Sequence, residues 1–274
     1  MPFTDLPTIG IVGVGEIAGA IVEGLCTDDE GAPDVVLSPR GAHLSETLAR
    51  RFPTVRVCAD NQEVAESASV LVLAVRPDAA DAALSGMRVP RDALVVSVIA
   101  GVEHDDLHRL LGPEVAIVRA IPLPAVRRRA GVTAVHPAHP MATALFDRLG
   151  GTLDVADSHT FAALSAATGT ISTHLGYLAT IAAWTERAGV DGAEAERYVR
   201  SLFAGVAGGL ADPSRSLAEL ATDHETPGGL NEQLRESWLD QANVAALEAG
   251  LDALLQRVTS AGSAGRPPGS GRRG

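Results

Sequence analysis

No lysine occurs anywhere in the 274 residues, so all 22 basic side chains are arginine and no lysine amine can act as a proton donor. Cysteine is nearly as scarce. Cys26 and Cys58 are too few for a disulfide framework and lack the spacing of metal ligands, which fits a reducing cytoplasm. No stretch approaches the roughly 20 uninterrupted apolar residues of a membrane span, and the first ten residues lack the basic and apolar segments of a signal peptide. A soluble protein is therefore expected. Basic charge is outweighed by 34 acidic residues, giving a formal net charge of −12, which opposes binding to nucleic acid because phosphate contacts need clustered cations.

Apolar content is ample at 46%, and the length predicts two domains rather than one core. Near the start, Ile9 to Val12 runs directly into Gly13-Val14-Gly15-Glu16-Ile17-Ala18. A short buried strand followed by a glycine pair lets the backbone turn sharply while a pyrophosphate approaches the main chain. The next residues have helical spacing, so their first amides would point at the phosphates, and Ala18 supplies the small residue needed where helix meets strand. This predicts a nicotinamide dinucleotide held by Gly13, Gly15, Glu16, Ile17 and Ala18. The second strand, Val35 to Leu37, ends without the acid that would bind a ribose 2′-hydroxyl and continues into Ser38-Pro39-Arg40. A hydroxyl and a guanidinium there favour NADPH over NADH, with Ser38 and Arg40 on the 2′-phosphate.

Apolar runs at 55–57, 69–75, 94–99 and 115–120, with 131–135 and 151–155 as edge strands, predict an open sheet of six to eight strands over residues 1–155. The run from 69 to 75 does not alternate, as expected of a parallel strand covered on both faces. Ligands lie beyond the carboxyl ends of such strands, which adds Asn61, Ala74, Val75, Arg76, Pro77, Ala100 and Gly101 to the cofactor cleft. From Ser158 the pattern turns helical, with segments at 161–188, interrupted near Gly169, then 193–210 and 231–258. A helical domain over 156–260 follows, whose long apolar helices call for a partner copy. Residues 261–274, rich in glycine and proline and basic, are expected to be a disordered tail.

These segments carry a family pattern in order and spacing: GVGEIA, DNQEVAESASVLVLAVRP, SVIAG, RAIP with GVTAV, and TPGG in the helical part. The chain resembles the pyrroline-5-carboxylate reductase family along essentially its whole length. The resemblance implies a Rossmann-type doubly wound α/β sheet followed by an all-helical dimerisation domain, with hydride passed from NAD(P)H to a cyclic imine. It also shows where this chain departs. Leu123 stands where the family's MPN segment has asparagine, the family's SGSGPAY segment reads Ala167 to His174 without its proline and tyrosine, and Leu230-Asn231 replace a pair of small hydroxyl residues after TPGG.

Reduction of a preformed iminium needs little acid help, whereas a ketone would call for a strong proton donor. His174 and Tyr177 lie on one helical face, with Thr170 a turn earlier. His174 is read as a proton or hydrogen-bond donor, and Thr226 and Asn231, beside a Pro-Gly-Gly break, as substrate contacts or helix caps. Tyr177 reads rather as core, with its hydroxyl at an edge. The paired histidines of His136-Pro137-Ala138-His139-Pro140 lack a third ligand, so no metal is expected. Arg127-Arg128-Arg129 reads as an exposed basic turn from which one arginine could reach a substrate carboxylate. Two other functions share the fold: a hydroxy-acid-type dehydrogenase, which the missing lysine disfavours, and a catalytically silent NADPH-binding protein. The substrate expected is a small imine or keto-type carboxylate, and the assembly a homodimer or higher homo-oligomer.

Overall fold

Residues Ile9–Val12 (β1) form an interior strand of an eight-stranded sheet in a computed structural model that describes residues 6–27 and 31–261. The other strands are β2 (Val35–Leu37), β3 (Val55–Val57), β4 (Val70–Leu73), β5 (Leu94–Ser97), β6 (Ala116–Ile121), β7 (Thr133–His136) and β8 (Thr152–Asp154). They lie in the order β3-β2-β1-β4-β5-β6-β7-β8. All neighbours from β3 to β6 are parallel, β7 runs antiparallel to β6, and β8 is parallel to β7. The order reverses between β1 and β4. That switch point is where a doubly wound sheet opens a crevice beyond its carboxyl ends.

Helices cover both faces, which is why β1, β2, β4 and β5 are buried along their whole length. On one face Ile9, Ile11, Val35, Leu37, Val70, Val72, Val96 and Val118 pack under α1 (Glu16–Cys26), α2 (Ala42–Arg51) and α6 (Pro140–Asp147). The alternate residues Val12, Val36, Leu71, Leu73, Val95 and Ile117 pack against α3 (Asn61–Ser67), α4 (Ala80–Leu84) and α5 (His104–Leu111) on the other. Each large aliphatic side chain so buried is worth about 1.5–3 kcal/mol. The α6 helix was not among the sequence expectations. It starts at the segment that invited a metal reading, where His139 accepts the Met141 amide as a cap and Pro140 takes the first helical position.

The chain forms two compact units, one of residues up to Ser165 together with the chain from Arg257, the other Ala166–Gln256. The first unit thus extends beyond residue 155 into α7 (Ser158–Ala167), because Phe161 joins Ala134 and Val155 in a small apolar cluster. The second unit holds α8 (Thr170–Arg187), α9 (Gly192–Leu210), α10 (Leu217–Asp223), α11 (Leu230–Trp238) and most of α12 (Gln241–Ala261). Where one helix was expected over 231–258, the structure has α11 and α12. Asp240 caps the second through the Asn243 amide at 2.9 Å, restarting the helix after Leu239. The tail expected over 261–274 lies outside the described residues except for Ala261, which ends α12.

Candidate functional site

Gly13 has φ +89°, and a Cβ built on it would lie 2.7 Å from the Val75 amide nitrogen and Cγ1 and 2.8 Å from the Ala74 carbonyl carbon. Only glycine meets both demands. The carboxyl ends of β1, β2 and β4 are tied together at this point. Ala74 donates to the Val12 carbonyl at 2.8 Å, Ser38 to the Ile11 carbonyl at 3.0 Å, and the Gly13 amide to Ser38 Oγ at 2.9 Å. Ser38 is fully buried, so its hydroxyl braces the glycine turn and is not presented to a ligand, which corrects its expected contact with a 2′-phosphate.

Gly15 behaves differently. It precedes α1 with no side-chain cap, and a Cβ there would meet no protein atom within 4 Å. The space over Gly15 and the unpaired first-turn amides of Glu16, Ile17 and Ala18 form a cradle that fits a pyrophosphate. Ala18 is itself fully buried and serves the packing of α1 on the sheet.

Beyond β2, exposed Arg40 lines a cavity of about 410 Å³ together with Pro39, Asp60, Asn61, Gln62 and Met87. Arg40 makes no ion pair among the described residues. Asp60 is occupied as the cap of α3, accepting the Glu63 amide at 2.9 Å, and the Asn61 amide group donates to the Ala83 carbonyl at 3.1 Å. Sequence reasoning placed Arg40 and Asn61 here and missed Gln62, whose position next to Asn61 was the available signal. Beyond β4 and β5, Ala74 and Val75 are half-buried, Pro77 begins a short 3-10 turn, and Ala100 and Gly101 are exposed. Arg76 is exposed and paired with Asp78 at 3.1 Å.

Of the three arginines expected as an exposed basic turn, Arg128 is exposed, whereas Arg127 and Arg129 are held against α1. The 3-10 segment Pro124–Arg128 docks on α1 so closely that a Cβ on Gly24 would lie 2.3 Å from the Val126 carbonyl oxygen. Arg129 Nε donates to the Gly24 carbonyl at 2.7 Å. Arg127 reaches Glu16 Oε1 at 2.8 Å and Glu23 Oε2 at 2.5 Å.

A half-buried polar cluster around the buried Arg119 lies further along the sheet, and no linear motif announced it. Arg119, in the otherwise apolar β6, pairs with Glu103 and stacks over the Phe161 ring at 4.7 Å. His104 meets the His136 ring edge-to-face with centroids 5.7 Å apart. Burial, and secondarily the Arg119 charge, pushes the His104 imidazole down from 6.5 to about 4. His136 bonds the Val155 carbonyl through Nδ1 at 2.9 Å and Ser158 through Nε2 at 3.1 Å.

In the helical unit, His174 and Tyr177 both pack edge-on against Phe203, with centroids 6.2 and 6.0 Å away, and Tyr177 stacks on Trp238 at 5.4 Å. Thr226 and Asn231 flank the Pro227-Gly228-Gly229 turn. Neither caps α11, whose cap is Gly229 without a side-chain bond. Instead the Asn231 amide group donates to the His224 carbonyl at 2.6 Å. Glu225 pairs with Arg235 rather than exchanging protons with His224, whose ring bonds the Leu220 carbonyl at 2.8 Å. No described helix is long and apolar enough to cross a membrane.

Residues 8–101 match the family model described as NADP oxidoreductase, coenzyme F420-dependent. The pyrroline-5-carboxylate reductase of Synechocystis is 29% identical over 236 residues, covering 81% of this chain and 85% of the relative. Pyrroline-5-carboxylate reductase 2 of Bacillus subtilis is 24% identical over 253 residues, covering 88% and 91%. The solved pyrroline-5-carboxylate reductase of Coxiella burnetii shares the fold at a TM-score of 0.77 and 23% identity, covering 94% of this chain and 98% of that one. Shared order across both units, on top of the glycine turn and the doubly wound sheet, makes this chain similar to the pyrroline-5-carboxylate reductases over most of its length.

Proposed function

We propose that this protein is an NADPH-dependent reductase that delivers hydride to the C=N carbon of a cyclic imine carboxylate, with pyrroline-5-carboxylate as the first substrate to test. The open space over Gly15, at the end of a glycine turn that nothing but glycine can make, is the observation that carries the reading. The bound reduced nicotinamide supplies the hydride. The chain supplies position and charge. Gly13 and Gly15 bare the main chain, the amides of Glu16, Ile17 and Ala18 hold phosphate, and Ala74, Val75, Pro77, Ala100 and Gly101 line the strand ends. Arg40 and Arg76 provide cations for an anionic ligand, with Asn61 at the wall of the Arg40 cavity.

His174 is assigned as proton or hydrogen-bond donor to the imine nitrogen, and Thr226 and Asn231 to the substrate carboxylate. A preformed iminium makes light demands on that donor, which suits a chain without lysine. Leu123 and Leu230 put apolar side chains where the resemblance expects polar ones, which supports an imine bulkier or less polar than pyrroline-5-carboxylate as the preferred substrate. The reading includes a homo-oligomer formed through the helical unit and a cytoplasmic setting.

Preference for NADPH is assigned to Arg40. A charge-assisted bond to a 2′-phosphate is worth about 1.5–3 kcal/mol, so Arg40→Ala should raise the NADPH Kd about ten- to a hundredfold and leave the NADH Kd unchanged. Fluorescence titration of both cofactors decides it: equal losses for the two would remove Arg40 from the phosphate site. Turnover is tested by NADPH oxidation with pyrroline-5-carboxylate and piperideine carboxylates. Tight NADPH binding without turnover of any of these imines would instead favour the silent-binder reading.

A further inference from the structure

Glu16 is an unexpected residue in the first turn of the phosphate cradle, because its carboxylate competes with a pyrophosphate for the same positive end of α1. The structure answers this charge from 111 residues away. Arg127 Nη2 lies 2.8 Å from Glu16 Oε1 while its Nε lies 2.5 Å from Glu23 Oε2, so one guanidinium spans two acids two turns apart on one face of the helix. Its place is set by backbone docking rather than by the ion pairs. Gly24 lets the Val126 carbonyl approach within a distance that no side chain permits, and Arg129 Nε clamps the Gly24 carbonyl at 2.7 Å. As an exposed pair, the Arg127–Glu16 contact adds little to stability, which leaves its effect on a third charge as the consequence that matters.

We propose that Arg127 is a positioning residue for the cofactor: it neutralises Glu16 and so allows an anionic dinucleotide to settle on the amides of α1. The inference rests on the dinucleotide reading above and adds a residue that the glycine motif does not contain. One uncompensated unit charge about 4 Å from a phosphate weakens binding about fivefold in water, and more where solvent is partly excluded.

A charge cycle on the full-length protein tests it, with NADPH Kd read by fluorescence titration and folding checked by thermal melting. Arg127→Ala is expected to weaken NADPH about fivefold or more, with the loss shrinking at 1 M salt. Arg127→Lys should retain most of the affinity. The double variant Glu16→Gln with Arg127→Ala should return to near the wild-type Kd, whereas Glu23→Gln with Arg127→Ala should stay as weak as Arg127→Ala alone. Glu16→Gln by itself, which leaves the docking intact, should bind NADPH at least as tightly as the wild type. A double variant at Glu16 and Arg127 no tighter than Arg127→Ala would show that Arg127 acts on the ligand or the fold directly, and a weaker Glu16→Gln would also overturn the proposal. Absence of NADPH binding by the wild type is a separate outcome, which removes the dinucleotide reading and this inference together.

Discussion

Gly13 and Gly15 belong to one motif, yet their surroundings assign them different work. A methyl at Gly15 enters empty space in the free protein, so Gly15→Ala should leave stability within about 0.5 kcal/mol while raising the NADPH Kd about tenfold or more. Gly13→Ala combines a positive φ with contacts of 2.7 Å to Val75 and should cost about 1–3 kcal/mol or more of stability as well as binding. Melting curves and titrations on the two variants separate them; loss of stability at Gly15 would contradict an open cradle. At this scale the glycine turn was legible because its shape follows from the local backbone. Ser38 was misread, since nothing in the sequence tells that its hydroxyl turns inward to the Gly13 amide. The Arg127–Glu16 pair was invisible for a similar reason: its partners are far apart in the chain and meet only through docking.

The elements most readable in advance were those whose burial is uniform, β1, β4 and β5, because a strand covered on both faces appears as an unbroken apolar run. The interruption at Gly169 was readable too, whereas α6 and the break before Asp240 depend on single caps within otherwise helical or ambiguous stretches. The polar cluster joining α5, β6, β7 and α7 left no periodic trace, because each element contributes one or two residues. Its acid response is predictable. His104 titrates near 6.5 in an unfolded chain and at about 4 in the folded one, so the unfolded chain binds more protons between those values. Stability therefore falls as pH drops from about 6.5 towards 4. His104→Gln should flatten part of that decline in melting temperature measured from pH 7 to 4.5, and an unchanged slope would remove His104 as its source.

For the molecule as a whole, the order of sheet unit and helical unit was legible from the change of periodicity near Ser158, and the family resemblance from motifs spread over both. The chemistry of the substrate was less so, because Leu123, Leu230 and Asn231 replace the residues through which the resemblance would specify it. The helical unit buries few of its own side chains: Tyr198, Leu202, Val206 and Leu210 follow one another at four-residue spacing along α9, all exposed. Such a stripe accounts for the proposed homo-oligomer, and Leu202→Glu should shift sedimentation towards monomer while the wild type stays at dimer or above. The central claim is that the β1–α1 turn binds a nicotinamide dinucleotide whose hydride reduces a cyclic imine. Titration of the wild-type protein with NADPH, followed at once by addition of pyrroline-5-carboxylate or a piperideine carboxylate to the saturated complex, tests it most directly. Saturable binding and then loss of the 340 nm absorbance on imine addition is the predicted result; no saturable binding would contradict the account at its base.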